Sequence, residues 1–381
     1  MARGTLSDAD RILRSSETGS APEAPPAPAA RPMTPAHGDP GPAEPFDPAR
    51  ARRSRGLPWG ISLTVLVFAA VIGLGAWWSL QPEKFDVAAN MRKQIGERGR
   101  AVPGTATVAA AIQVAETLLS KPGGYLRNDK MPPGVVMDNM PNWEYGVLTE
   151  LRDSVRALRN DFSRSQTQSI ENDDLKRADS DFNFDADAWV LPATEDEYHQ
   201  GIEALKGYLA ELSSGSARAR FFARADNLAA YLSVVEKRLG SYGQRLSGSV
   251  GNAELLAAFG AEDVLGEGQS ALQSAGDSLP RTPWNEIDDV FFEARGYSWA
   301  LLHMMKALAI DFAPVLRDKN AVVSMQQVIR DLEYATMRKW SPLVLNGDGF
   351  GVLANHSLVL ASYMSRANAA VLDLRMLLES G

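Results

Sequence analysis

"FFARADNLAAYLSVVEKRLGSYGQRL", residues 221–246, places apolar side chains at Phe221, Ala225, Leu228, Leu232, Val235, Leu239, Tyr242 and Leu246. The steps between them alternate four and three from end to end, so all eight fall on one helical stripe, whereas a half-buried strand needs steps of two. A second series with the same alternation runs through Leu353, Ser357, Leu360, Met364, Ala367, Val371, Leu374 and Leu378. Repeats of this period wind helices into left-handed supercoils, so the expected packing is a bundle at shallow crossing angles. Seams of this kind close either within one chain or between chains, which keeps a homo-oligomer open.

Outward from these seams the pattern stays helical. Val108, Ile112, Ala115 and Leu119 share one face, and Leu148, Leu151, Val155, Leu158 and Phe162 share another. Ile202, Leu205, Leu209 and Leu212 follow Thr194, expected to form a capping box with Glu197. Thr282 and Pro283 open a helix with Ile287, Phe291, Leu301, Met305, Leu308 and Phe312 along its inner side, and Pro314 ends or kinks it. Val322, Met325, Ile329 and Leu332 resume after a turn at Asp318 to Asn320, and "NGDGFG" at 346–351 turns into the final helix. "WVLP" at 189–192 and "LVL" at 343–345 are too short to build a sheet. The fold class is therefore all-α, with residues 81–381 expected to form an elongated bundle, divisible into two sub-bundles near residues 247–283.

Between Leu57 and Leu80, "LPWGISLTVLVFAAVIGLGAWWSL" contains no charge. At about 1.5 Å per residue its length crosses a hydrocarbon layer of about 30 Å with some tilt. Trp59 at one end and Trp77 with Trp78 at the other suit interfacial anchors. Arg50, Arg52, Arg53 and Arg55 precede the span, and only Lys84 follows within ten residues, which places the N-terminus in the cytoplasm and the body in the periplasm. With a long segment ahead of the apolar run and no small-x-small cleavage site after it, an uncleaved single-pass anchor is expected. Residues 1–56 are Pro/Ala-rich, hold ten of the 22 prolines and carry few large apolar residues, so a disordered cytoplasmic tail is expected. One short helical peptide, "LSDADRIL", is a candidate docking element within it.

Composition removes several function classes. The tail is nearly neutral, with eight basic and seven acidic residues, and the remainder carries the excess of a chain whose net charge is -8. An acidic body argues against nucleic acid as a partner. With no cysteine, disulfides, thiolate nucleophiles and Cys-ligated metals are excluded. The four histidines, His37, His199, His303 and His356, stand far apart without zinc spacing, and His303 among Leu301, Leu302 and Met305 reads as a core histidine. Ser-x-x-Lys, GxSxG and Walker signatures are missing, and no cofactor is expected. Asp179, Asp181, Asn183, Asp185 and Asp187 recur at every second position, a spacing that invites calcium. However, the helix-loop-helix calcium loop needs Gly and Glu where Phe184 and Val190, or Ala186 and Pro192, stand. A capped turn anchored by Phe182, Phe184 and Trp189 is the expectation there, and no metal.

"PGGYLRNDKMPPGVVMDNMPNWEYG", Pro122 to Gly146, gathers glycine, proline, tyrosine and tryptophan between two helices. Gly123 and Gly124 can end the first helix, the Pro132-Pro133 pair can stiffen the link, and Asn139 or Asn142 can cap the next helix. Tyr125, Met137, Met140 and Trp143 then pack the loop onto the bundle end. The alternative is a ligand or partner surface carried by Tyr125, Trp143 and Glu144. "PGGYLRND", "DNMPNWEYG", "RALRNDFSRSQ", "FNFDADAWVLPATEDEY" and "RLGSYGQRLSGSVG" resemble a family of single-span proteobacterial inner-membrane proteins known only as a domain of unknown function. The resemblance covers the chain from the span onward. It implies a helical periplasmic body, and it supplies no site residues.

The expected function is a non-enzymatic, membrane-anchored interaction or scaffold module of the cell envelope. Its partners are the lipid bilayer and an envelope protein or cell-wall component. The alternative is a cell-wall glycan hydrolase using Glu144, since such chemistry needs a carboxyl of raised pKa in a sugar cleft.

Overall fold

The computed structural model describes residues 56–97, 99–164, 171–250, 282–283, 286–338, 344 and 355–380. The tail peptide "LSDADRIL", the turn "NGDGFG" and most of the joint at 247–283 lie outside the described residues. Two units divide the chain at Gly60, and the architecture below concerns Ile61–Gly381 apart from the start of the first helix. Its helices are α1 (Gly56–Trp78), α2 (Val87–Ile95), α3 (Thr105–Ser120), α4 (Asn139–Ala157), α5 (Asp173–Phe182), α6 (Thr194–Ser214) and α7 (Ala225–Val250). They continue with α8 (Ile287–Asp311), α9 (Ala313–Asp318), α10 (Val322–Ala335) and α11 (His356–Glu379). No strand occurs among the described residues.

The two four-three seams meet each other. Leu228, Leu232, Val235, Leu239, Tyr242 and Leu246 of α7 are buried, as are Ser357, Leu360, Met364, Ala367, Val371, Leu374 and Leu378 of α11, and α7 packs on α11. The first members of the α7 series behave differently: Phe221 precedes the helix, and its ring packs between Phe162 and Phe312. Arg224 and Asp226 form an ion pair at the start of α7, where the chain turns from extended to helical.

α8 is buried on every side rather than on one. Apart from Lys306, every residue from Val290 to Leu308 is buried, and the helix packs on α3, α4, α7 and α10. Helices before and after the joint at 247–283 thus share one core. α8 ends at Asp311, and Pro314 enters the first turn of α9, where its missing N–H costs nothing.

The α4–α8 crossing is made by two glycines. A Cβ on Gly146 would stand 1.9 Å from the Glu293 carbonyl oxygen, and one on Gly296 would stand 1.9 Å from that of Trp143. Backbones touch there, which no larger residue permits. Two expected caps are replaced. Asp138, not Asn139 or Asn142, caps α4, accepting from the Asn139 amide at 2.8 Å. Thr194 donates its hydroxyl to the carbonyls of Asp185 and Ala188, which ties the preceding loop instead of closing a box with Glu197.

Candidate functional site

The site begins where the apolar helix enters the body. Trp59–Trp78 has a mean hydropathy of 2.1 and none of it is buried, so α1 is long and apolar enough to cross a membrane. Only Ser79 to Asp86 separate it from α2, and three of these residues are fastened to the body. Arg295, itself buried in α8, donates to Gln81 Oε1 at 3.0 Å and to the carbonyls of Ala335 and Met337. Lys84 Nζ donates to the Glu333 carbonyl at 3.1 Å. The Phe85 amide donates to His303 Nε2 at 3.1 Å, and the Phe85 ring stacks on the imidazole with centroids 3.9 Å apart.

His303 is a core histidine with both nitrogens in use. Because Nε2 accepts, Nδ1 carries the proton and donates to the Trp299 carbonyl at 2.7 Å. Burial holds the imidazole down at about 4, so it is neutral at physiological pH. Burial also brings the Arg295 guanidinium down to about 10, which leaves it charged.

The Pro122–Gly146 loop lies against this junction. Gly123 has φ 89°, and a Cβ there would meet the Trp78 ring at 2.8 Å, so glycine lets the last turn of α1 rest on the loop. Glu144 of α4 is fully buried. Its Oε1 accepts from the Leu126 amide at 2.9 Å, its Oε2 from the Arg127 amide at 2.8 Å, and Lys121 Nζ sits 2.5 Å from Oε1. Burial pushes the carboxyl up, while Lys121 and the two amides pull it back toward ionisation. Every polar atom of this pair is spent on holding the loop.

Tyr125 and Trp143 are interior residues too. The Tyr125 hydroxyl donates to the Ala186 carbonyl at 2.9 Å, and Trp143 packs on Trp299. Tyr125, Trp143 and Glu144 therefore shape the loop from within, and its exposed side chains are Lys130, Met131, Pro132, Val135, Val136 and Asp138. Of the anchor tryptophans, Trp59 and Trp77 are exposed and Trp78 is half-buried against Gly123.

A second loop joins the first. Arg127 Nε stands 3.1 Å from Asp187 Oδ1, and Asn128 Nδ2 donates to the Ala188 carbonyl at 2.8 Å and to Glu195 at 2.7 Å. The alternating acids are used one at a time here. Asp179 pairs with Arg159 at 2.7 Å and accepts from Asn183, and Asp185 accepts from the Asp187 amide. Among the described residues no three His, Cys, Asp or Glu side chains converge as a metal would require. Phe182 anchors this turn from the core, but Trp189 does not: it is 52 % exposed, followed by Val190 at 61 % and Leu191 at 96 %.

Between α4, α7 and α8 lies a polar network that the sequence reading missed. Tyr231 and Ser154 both donate to Glu150 Oε1, and Arg238 holds the neighbouring Asp153 through a two-point ion pair at 2.7 and 3.1 Å. Burial pushes the Glu150 carboxyl up to about 8, overcoming the hydrogen bond from Tyr231. It is thus protonated at neutral pH. Glu150 Oε2 and the neighbouring Tyr297 hydroxyl are both buried without a hydrogen bond of normal geometry.

A family model described as an uncharacterized protein conserved in bacteria (DUF2333) matches residues 52–381. No curated protein and no solved structure matches the chain.

Proposed function

The chain belongs to this family of uncharacterised proteins conserved in bacteria, and we propose that it is a single-pass membrane protein whose helical body is held in a fixed pose against the bilayer. The reading continues with the N-terminus in the cytoplasm, the body in the periplasm of the inner membrane, and a role as an interaction or scaffold module of the envelope.

The observation that supports it is the junction. An enzyme searching for a polymeric substrate gains reach from a long flexible tether. Here a short connection is fastened through Gln81, Lys84 and Phe85, so reach is given up and orientation is kept. A fixed pose suits a protein whose work is to present a surface at a set height and angle. The α7 and α11 seams are occupied by each other, so a partner or second copy meets other faces. One such face carries Val323 and Tyr334 of α10, exposed at 70 % and 49 %.

Topology is tested by fusing to Gly381 reporter enzymes active only inside or only outside the cytoplasm. Activity of the outside reporter alone is expected, and an inside-only signal overturns the orientation. Photo-crosslinking residues placed at Val323 and Tyr334 in living cells then test the module role. A discrete envelope adduct supports it, and release of soluble fragments from cell-wall sacculi by the full chain favours the glycan hydrolase instead.

A further inference from the structure

Two groups of apolar side chains are displayed openly on two joined loops, the first of which touches the last turns of α1. Met131, Val135 and Val136 are exposed at 69 %, 49 % and 76 %, and Trp189, Val190 and Leu191 form the second group. Leu191 is 96 % exposed and sits at φ 62°, a left-handed conformation that a branched side chain adopts only when the surrounding chain enforces it. Displaying such a residue to water has no solvent rationale, and contiguous exposed apolar groups mark a contact with something apolar.

The position of α1 says what that contact is. A Cβ on Gly75 would lie 3.5 Å from Pro133 Cβ, so the loop touches the apolar helix three residues before its end at Trp78. At about 1.5 Å per residue, Pro133 stands about 4.5 Å inside the end of the helix. Side chains next to Pro133 then lie at the depth of the lipid interface. The second tip is tied to the first loop through Asn128 to Ala188 and Arg127 to Asp187, so the two loops are joined next to both tips.

We propose that the Met131–Val136 and Trp189–Leu191 tips insert into the interfacial layer of the bilayer beside α1, so that three points rather than one seat the body on the membrane. This rests on the reading of α1 as a membrane span. The neighbouring charged side chains include Asp138 and Asp187 as well as Lys130. Attraction to anionic headgroups is therefore not the driving force, and insertion follows from apolar burial, with Trp189 as an amphipathic interfacial residue. Neutral phosphatidylcholine suffices.

Because the chain has no cysteine, single cysteines can report each position. The full chain carrying Val136→Cys or Leu191→Cys, labelled with an environment-sensitive fluorophore, is reconstituted in phosphatidylcholine vesicles and challenged with nitroxide lipids and with aqueous iodide. Leu66→Cys reports the middle of α1, and Lys237→Cys reports an exposed site on α7. We expect lipid quenching at 136 and 191 about threefold above that at 237, unchanged when anionic lipid is added.

If 66 is quenched by lipid while 136 and 191 match 237, the tips are aqueous and the proposal fails with the span intact. If 66 itself is reached by iodide and not by lipid, the span reading fails first. Protection at 136 and 191 that vanishes on dilution to one chain per vesicle identifies a second copy and overturns lipid as the occupant. As a second variant, Val136→Asp with Leu191→Asp in the full chain is expected to keep its helical circular dichroism yet lose at least half of the lipid quenching of a Met131→Cys label. Retained quenching overturns the proposal.

Discussion

The polar groups buried where α1 meets the body and those buried between α4, α7 and α8 solve the same problem in different ways. At the junction, Arg295, Lys84, His303 and Glu144 meet backbone atoms of segments that are not helical or have just ceased to be. Such atoms lack helical partners, so each bond satisfies both sides. In the interior, Glu150 faces helices whose backbones are already paired. It must rely on Tyr231 and Ser154, and it keeps its proton. At the junction the buried groups satisfy irregular backbone, whereas in the interior side chains answer side chains: Glu150 stays protonated, and Asp153 and Glu293 are paired with Arg238 and Arg245.

The largest effect is expected from the junction side of this contrast. Lys121→Met leaves the Glu144 carboxylate buried without its counter-charge and should lower stability by about 3–5 kcal/mol, measured by denaturant titration in detergent. Pairing it with Glu144→Gln should recover most of the loss. A Lys121→Met protein of unchanged stability breaks the claim that this pair holds the loop.

The interior makes the next prediction, with a definite sign. The folded Glu150 pKa of about 8 lies above the ordinary glutamate value of 4.5, so the contribution of Glu150 is full below about 4.5 and is lost as pH rises through 8. At about 1.4 kcal/mol per unit, several kcal/mol disappear between pH 5 and 9. Glu150→Gln should flatten that alkaline slope. His303 gives the opposite sign. Its folded pKa of about 4 lies below 6.5, so its contribution is present above 6.5 and lost as pH falls through 4. Chemical shifts of the imidazole should show no protonation at pH 6, and a midpoint near 6.5 would contradict a buried, doubly bonded ring.

Between these regions stands the α4–α8 crossing. Gly296→Ala should cost about 3 kcal/mol, because the added methyl meets a backbone carbonyl that cannot rotate away. Gly240→Ala, on exposed space in α7, should be neutral or slightly stabilising by up to about 1 kcal/mol and serves as the control. The smallest effect is expected from Gln81→Ala, about 1 kcal/mol, because Arg295 keeps two carbonyl partners.

Much of the bundle was legible because spacing survives any tertiary context. The α7 and α11 seams and the face from Leu148 to Phe162 follow from period, and the end of α8 follows from Pro314. α8 was misjudged as one-sided because Glu293, Arg295 and Asp311 look like a solvated face. Each is buried against a partner that only folding brings near, such as Thr107 for Asp311. A charged residue inside an otherwise apolar helix is the signal that was available. Tyr125, Trp143 and Glu144 stand out in the sequence, yet the sequence does not say whether an aromatic in a loop points in or out. Trp189 shows the reverse: it is expected to anchor the capped turn, and it lies exposed.

The central claim is that the body does not swivel on α1, and the distance across the junction tests it most directly. Spin labels at Ala76→Cys in α1 and Gln326→Cys in α10, in the full chain reconstituted in lipid nanodiscs, should give one narrow distance distribution by double electron-electron resonance. Gln81→Ala combined with His303→Ala should broaden it. A broad distribution in the otherwise unmodified chain, indistinguishable from that of the double variant, would contradict the account.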